Sequence, residues 1–126
     1  MQELARSVAE KFPSIKLVYL FGSRGRGDEG PLSDYDFAVY LEEQKKERRG
    51  QLHLEILNEL TSALKTDAVD LVILNDLDMP EMKYDIIAEG KLLFEEEPFS
   101  LLVEPYILND YFDFREGLRM NNLTKA

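Results

Sequence analysis

The chain has 126 residues, 44% hydrophobic and 32% charged, which suits one globular domain spanning 1–126 around one core. Its net charge of −10 disfavours direct binding to a duplex or a tRNA, which would need lysines and arginines against phosphates. There is no cysteine, so disulfides and thiolate metal sites are excluded, and no apolar run reaches membrane-helix or signal-peptide length, which reads as a cytoplasmic protein with no membrane partner.

In chain order, Leu4, Ala5, Val8 and Phe12 recur at helical spacing and predict a helix over 3–12, stopped by Pro13. Residues 15–21, IKLVYLF, are β-branched, aromatic and short, and predict a strand. Residues 24–31 hold three glycines and a proline and read as turn material. Residues 35–41, YDFAVYL, predict a second strand, antiparallel to the first because no helix joins them.

The charge run 42–49, EEQKKERR, reads as the solvated start of a helix that continues through Leu52, Ile56, Leu57, Leu60 and Leu64. Within it, the basic stretch 45–49 has a second reading as a patch for an acidic partner. His53, the only histidine, reads as a surface residue with no catalytic part. Residues 69–74, VDLVIL, predict a third strand, parallel to the second because a helix intervenes. Pro80 opens a further helix and Gly90 is expected to cap it. Residues 91–94 predict a fourth strand. From 99 to about 120 the pattern is helical but apolar nearly all round, with Pro105 predicting a kink or two segments. Such a helix needs burial on more than one side, so 99–126 is a candidate partner interface. The order is α-β-β-α-β-α-β-α, which predicts an α/β (α+β) fold with a mixed sheet flanked by helices.

One constellation carries chemistry. Asp34 and Asp36 stand two apart on an extended segment, so both carboxylates face one way, with alpha carbons roughly 7 Å apart. Tyr35 and Phe37 then face the core. Paired carboxylates on one face can hold magnesium, a hard ion that shares its shell with phosphate oxygens. Gly22 and Ser23 end the neighbouring strand; there the backbone can approach a ligand closely, and successive N–H groups with the Ser23 hydroxyl can hold an anion. Asp70, a lone acid in the most apolar strand, is costly to bury unless paired or beside a metal. Arg24 and Arg26 read either as solvated loop residues or as guanidinium forks on phosphate. Ser33 reads as a local backbone hydrogen-bonder. A D-x-D alone, in a chain with 25 acids, is an ordinary strand entry. Joined to Gly-Ser at this spacing and to a third acid, it reads as a site.

Gly22-Ser23, ten residues, then Asp34-Tyr35-Asp36 resembles the signature of the DNA polymerase beta-like nucleotidyltransferase superfamily, and the small size and GSRGRG form resemble its minimal nucleotidyltransferases. The resemblance covers roughly 3–95. It implies a magnesium-dependent transfer of AMP from ATP, with two ions held by Asp34, Asp36 and Asp70 and the triphosphate held by Gly22 and Ser23. It further implies an antitoxin paired with a HEPN-domain toxin, inactivated by AMP addition to a tyrosine. Two alternatives stand beside this: an antitoxin that neutralises by binding alone, and transfer to a small-molecule hydroxyl.

Overall fold

The computed structural model describes residues 1–124. Helix α1 (Gln2–Lys11) leads into strand β1 (Ile15–Phe21), a short helix α2 (Gly22–Arg26) and strand β2 (Tyr35–Leu41). Helix α3 (Lys46–Leu64), strand β3 (Val69–Ile73), a 3-10 turn (Leu74–Asp76), helix α4 (Pro80–Glu89), strand β4 (Lys91–Glu95) and helix α5 (Phe99–Thr124) follow. The strands form one mixed sheet in the order β3-β2-β1-β4. β1 runs antiparallel to β2 and β2 runs parallel to β3, both as expected; β4, whose partner was not predicted from sequence, pairs antiparallel with β1.

Alternating side chains divide the sheet between two cores. Val18, Leu20, Phe37, Val39 and Leu71 pack on one face with Ala5 and Val8 of α1 and Leu52, Ile56 and Leu60 of α3. Leu17, Tyr19 and Ala38 pack on the other with Ile86 of α4 and Val103 and Ile107 of α5. The i, i+4 spacing of Leu52, Ile56 and Leu60 makes the buried stripe of α3. Truncating Ile56, which is fully buried, to alanine would cost about 2–5 kcal/mol. Across the second core, the Tyr19 hydroxyl donates to Glu104 at 2.5 Å and anchors α5 to β1. Burial, and then Glu104 itself, push the Tyr19 phenol well above its ordinary range.

Several elements depart from the sequence reading. The expected turn after β1 begins as helix α2, so the order gains a helix between the first two strands. α3 starts at Lys46, leaving 42–45 outside it. Arg49 closes that entry: Nε and Nη2 donate to Asp76 at 3.0 and 2.7 Å, and Nη1 donates to the Glu43 carbonyl at 2.8 Å. The charge run therefore contains a staple between α3 and the 3-10 turn. His53 is half-buried, with Nε2 2.7 Å from the Leu71 carbonyl, so its N–H covers a backbone acceptor on edge strand β3. Leu74 leaves β3 for the 3-10 turn. Gly90 caps α4 as expected, its N–H donating to the Ile86 carbonyl, but in extended backbone (φ −76°, ψ 170°) instead of a left-handed turn. Pro105 lies inside one continuous helix. It is exposed, as is Leu101 one turn earlier, whose carbonyl loses its usual intrahelical donor. Among the described residues no helix is long and apolar enough to cross a membrane.

Candidate active site

The register of the sheet draws the sequence-predicted residues together. Phe21, the last residue of β1, pairs with Asp36, and Asp36 pairs with Asp70. Directly opposed residues on neighbouring strands project to the same face. Asp36 and Asp70 therefore share the face of Ala38 and Val72, the side covered by α4 and α5. Gly22 follows Phe21 and opens α2, so the Gly-Ser turn lies at the same sheet edge.

Contact there is close. Gly22 has φ +66°, and a Cβ placed on it would lie 2.3 Å from Oδ2 of Asp36. Only glycine tolerates both the dihedral and the carboxylate against it. Three residues on, Gly25 is packed on β1, where a Cβ would lie 2.3 Å from the Leu20 carbonyl oxygen. The spacing G-S-R-G is thus a steric requirement at both glycines. Gly25 was not among the residues singled out from sequence, although the repeated glycine was its signal. The Ser23 carbonyl accepts the N–H of Asp28 at 3.0 Å and that of Gly27, closing α2, while the Ser23 hydroxyl has no partner among the described residues. The first N–H groups of α2 have no acceptor within the helix.

Asp34 lies one residue before β2 and is exposed; Asp36 is half-buried within it. Tyr35 and Phe37 face the core together, stacked 6.4 Å apart at 9°. Asp70 is exposed. The cost of burying a lone acid therefore does not arise: β3 is an edge strand, and Asp70 is open to solvent near its start. Its place in the row beside Asp36 stands. Partial burial pushes the Asp36 carboxyl up, and the charges of Asp70 and then Asp34 push it the same way.

Among the described residues none of the three carboxylates meets a hydrogen-bond donor or a cation of the protein. Nor do three acidic or histidine side chains there close into a preformed cage for a metal ion. An open set of mutually repelling oxygen donors fits a hard dication whose shell is completed by ligand oxygens.

The arginines are engaged elsewhere. Arg24 Nε and Nη2 donate to the Ser33 carbonyl at 3.2 and 3.0 Å, and its guanidinium lies 3.9 Å from the Tyr35 ring centroid. Arg26 is half exposed and pairs with Asp28 at 3.4 Å. It borders a cleft of about 190 Å³ beside Gly22, with Met82, Asp85 and Glu89 on the far wall. Ser33 is the local hydrogen-bonder expected: its Oγ accepts the Gly30 N–H at 2.9 Å, and its own N–H donates to the Gly30 carbonyl at 3.2 Å.

A mixed sheet bearing a Gly-Ser turn and a row of acids at one edge defines a class, and comparison with known proteins agrees. Residues 3–99 match the family described as polymerase beta, nucleotidyltransferase, and the chain belongs to that family. It is 31% identical over 107 residues to the protein adenylyltransferase MntA of Aphanizomenon flos-aquae, covering 76% of this chain and 67% of that protein. The fold matches a chain of a toxin–antitoxin crystal structure with AMP-PNP at a TM-score of 0.77 and 24% identity, over 99% of this chain and 98% of that one. It also matches a chain in the complex of tri-AMPylated Shewanella oneidensis HEPN toxin with MNT antitoxin, at a TM-score of 0.68 and 24% identity, over the whole of both chains.

Proposed function

We propose that this chain is a magnesium-dependent protein adenylyltransferase that transfers AMP from ATP to a tyrosine hydroxyl of a HEPN-domain toxin, and so serves as its antitoxin. The observation that carries the reading is the row Phe21, Asp36, Asp70 across three strands, with Gly22 next after Phe21 and against Asp36, and a Ser23 hydroxyl that has no partner among the described residues. The resemblance to MntA supports the choice of AMP and of a protein acceptor.

Gly22 and Ser23 would receive the β- and γ-phosphates, with backbone N–H groups and the hydroxyl donating. Asp34, Asp36 and Asp70 would hold magnesium, two ions in all. Bound there, magnesium would screen the triphosphate and draw charge from the reacting phosphorus. Arg26, held only by a long exposed pair, is the arginine we assign to phosphate charge. The acceptor oxygen attacks the α-phosphorus, the bond from that phosphorus to the α–β bridging oxygen breaks, and pyrophosphate leaves. Asp70, exposed at the edge of the row, is assigned to the acceptor side, where a carboxylate can take the hydroxyl proton.

We assign the partner surface to the outward side of α5, where Leu101, Leu102 and Tyr106 are 75%, 59% and 81% exposed. Patches of that kind mark interfaces. The chain acts as one catalytic unit in the cytoplasm. The test is incubation with the HEPN protein encoded beside it, ATP and magnesium, followed by intact-mass measurement. The partner gains the mass of one or more AMP groups and pyrophosphate is released. Undiminished transfer by a variant carrying both Asp34→Asn and Asp36→Asn would overturn the mechanism.

A further inference from the structure

Arg24 grips the two residues that flank Asp34. Its Nε and Nη2 both donate to the Ser33 carbonyl, and its guanidinium plane covers the Tyr35 ring. That ring stacks in turn on Phe37, which is 1% exposed. Asp34 stands outside the strand ladder, whose first paired residue is Tyr35. Its backbone is otherwise the end of the loop that leaves α2. One side chain, rooted three residues from Phe21, thus fixes the peptide before Asp34 and the side chain after it.

We propose that Arg24 is a positioning residue that sets the Asp34 carboxylate for cation binding and ties it to the Gly22-Ser23 turn; its guanidinium does not serve the phosphates. This rests on reading Asp34 as a cation ligand. Both faces of the guanidinium's chemistry are used, its in-plane donors on a carbonyl and its flat surface on a ring. Lysine supplies neither the fork nor the plane, so Arg24→Lys is not conservative here. Residues that orient a metal ligand typically change metal affinity by about 10–100-fold when removed.

The experiment measures Mn2+ binding to the full chain, by the electron paramagnetic resonance of free Mn2+, in the presence of the non-hydrolysable analogue AMP-PNP. AMP-PNP binding in EDTA is measured separately by calorimetry. Variants are Arg24→Lys, Arg24→Ala, Tyr35→Leu, the double variant Arg24→Ala with Tyr35→Leu, and Asp34→Asn as control. Tyr35→Leu keeps an apolar side chain over Phe37 while removing the ring under the guanidinium. We expect Arg24→Lys and Tyr35→Leu each to weaken Mn2+ binding about tenfold. The double variant should be no weaker than Arg24→Ala alone, because one clamp is lost in both. AMP-PNP binding in EDTA should stay within about twofold of the parent chain, since phosphate contacts are untouched. Loss of AMP-PNP binding in EDTA with Mn2+ binding intact would make Arg24 a phosphate ligand and overturn the proposal. Parental Mn2+ binding by Tyr35→Leu would overturn it as well. Parental Mn2+ binding by Asp34→Asn would instead overturn the reading of Asp34, so the two failures are told apart.

Discussion

Gly22 lies against the carboxylate of Asp36 so closely that a methyl group on it would reach within 2.3 Å of Oδ2. The turn assigned to phosphate and the acid assigned to the cation are therefore in van der Waals contact. Gly22→Ala forces two responses: the φ of +66° becomes strained, and Asp36 must rotate away. We expect a stability loss of about 1–3 kcal/mol from the dihedral and the displaced carboxylate. AMP transfer should fall by about 100-fold or more, because displacing a reacting group by an ångström costs that much. Thermal unfolding and a transfer assay on the same preparation check both. Transfer within a fewfold of the parent would show that the contact is incidental.

Asp36 also predicts an exchange of stability for function. Its carboxyl is pushed up by partial burial and by Asp70 and Asp34, so its charge is unfavourable in the cation-free protein. Asp36→Asn removes the charge while keeping the shape. Without magnesium the variant should unfold at a higher temperature than the parent, by on the order of 1–3 °C given the site's solvent screening. It should lose AMP transfer altogether. A lower unfolding temperature in the absence of any divalent ion would contradict the repulsion inferred here.

Most of the sheet was legible because each strand carries a period-two or wholly apolar run, and because connection length decides strand direction. That logic put Asp36 and Asp70 on neighbouring parallel strands before any coordinates. Helix α2 was not legible, since two glycines in five residues oppose helix formation by propensity. Gly25 instead sits hard against the Leu20 carbonyl, where no other residue fits, a packing constraint that propensity does not see. The exposure of Asp70 was not legible either, because an apolar strand sequence reads the same at a sheet's centre and at its edge. The partners of Arg24 and Arg49 lie 9 and 27 residues away, beyond any local pattern. Residues 125 and 126 of the expected interface segment lie outside the described residues.

The Arg49–Asp76 pair gives a pH dependence. The Arg49 hydrogen bonds hold the Asp76 carboxyl below its ordinary value. A depressed carboxyl contributes stability that is present above the unfolded-state pKa and is lost as pH falls through the folded one. Asp76→Asn should therefore destabilise by about 0.5–1 kcal/mol at neutral pH, the range for a partly exposed bidentate pair. The difference should shrink as pH falls below about 4, where the unfolded chain takes up the proton, and close only below the lowered folded-state value. Denaturant unfolding at pH 7 and pH 3 makes the comparison. A gap that stayed constant would assign the loss to packing instead of charge.

On α5, exposure separates folding from partner binding. Val103 and Ile107 are buried, only 9% and 7% exposed, while Leu102 and Tyr106, each one position before them, are 59% and 81% exposed. The same turns of helix thus present one face to the core and another to water. Tyr106→Asp leaves the core face untouched, so the unfolding temperature should stay within about 1 °C of the parent. At an interface, an aromatic anchor contributes about 2 kcal/mol or more, so affinity for the HEPN partner should fall at least about 30-fold. Transfer of AMP to that partner should fall with affinity, showing mainly as a raised KM for the protein substrate. Val103→Ala is the complementary variant: it should lower stability by about 1–3 kcal/mol through the core and leave affinity for the partner nearly unchanged. Parental affinity in Tyr106→Asp would remove this face of α5 from the interface.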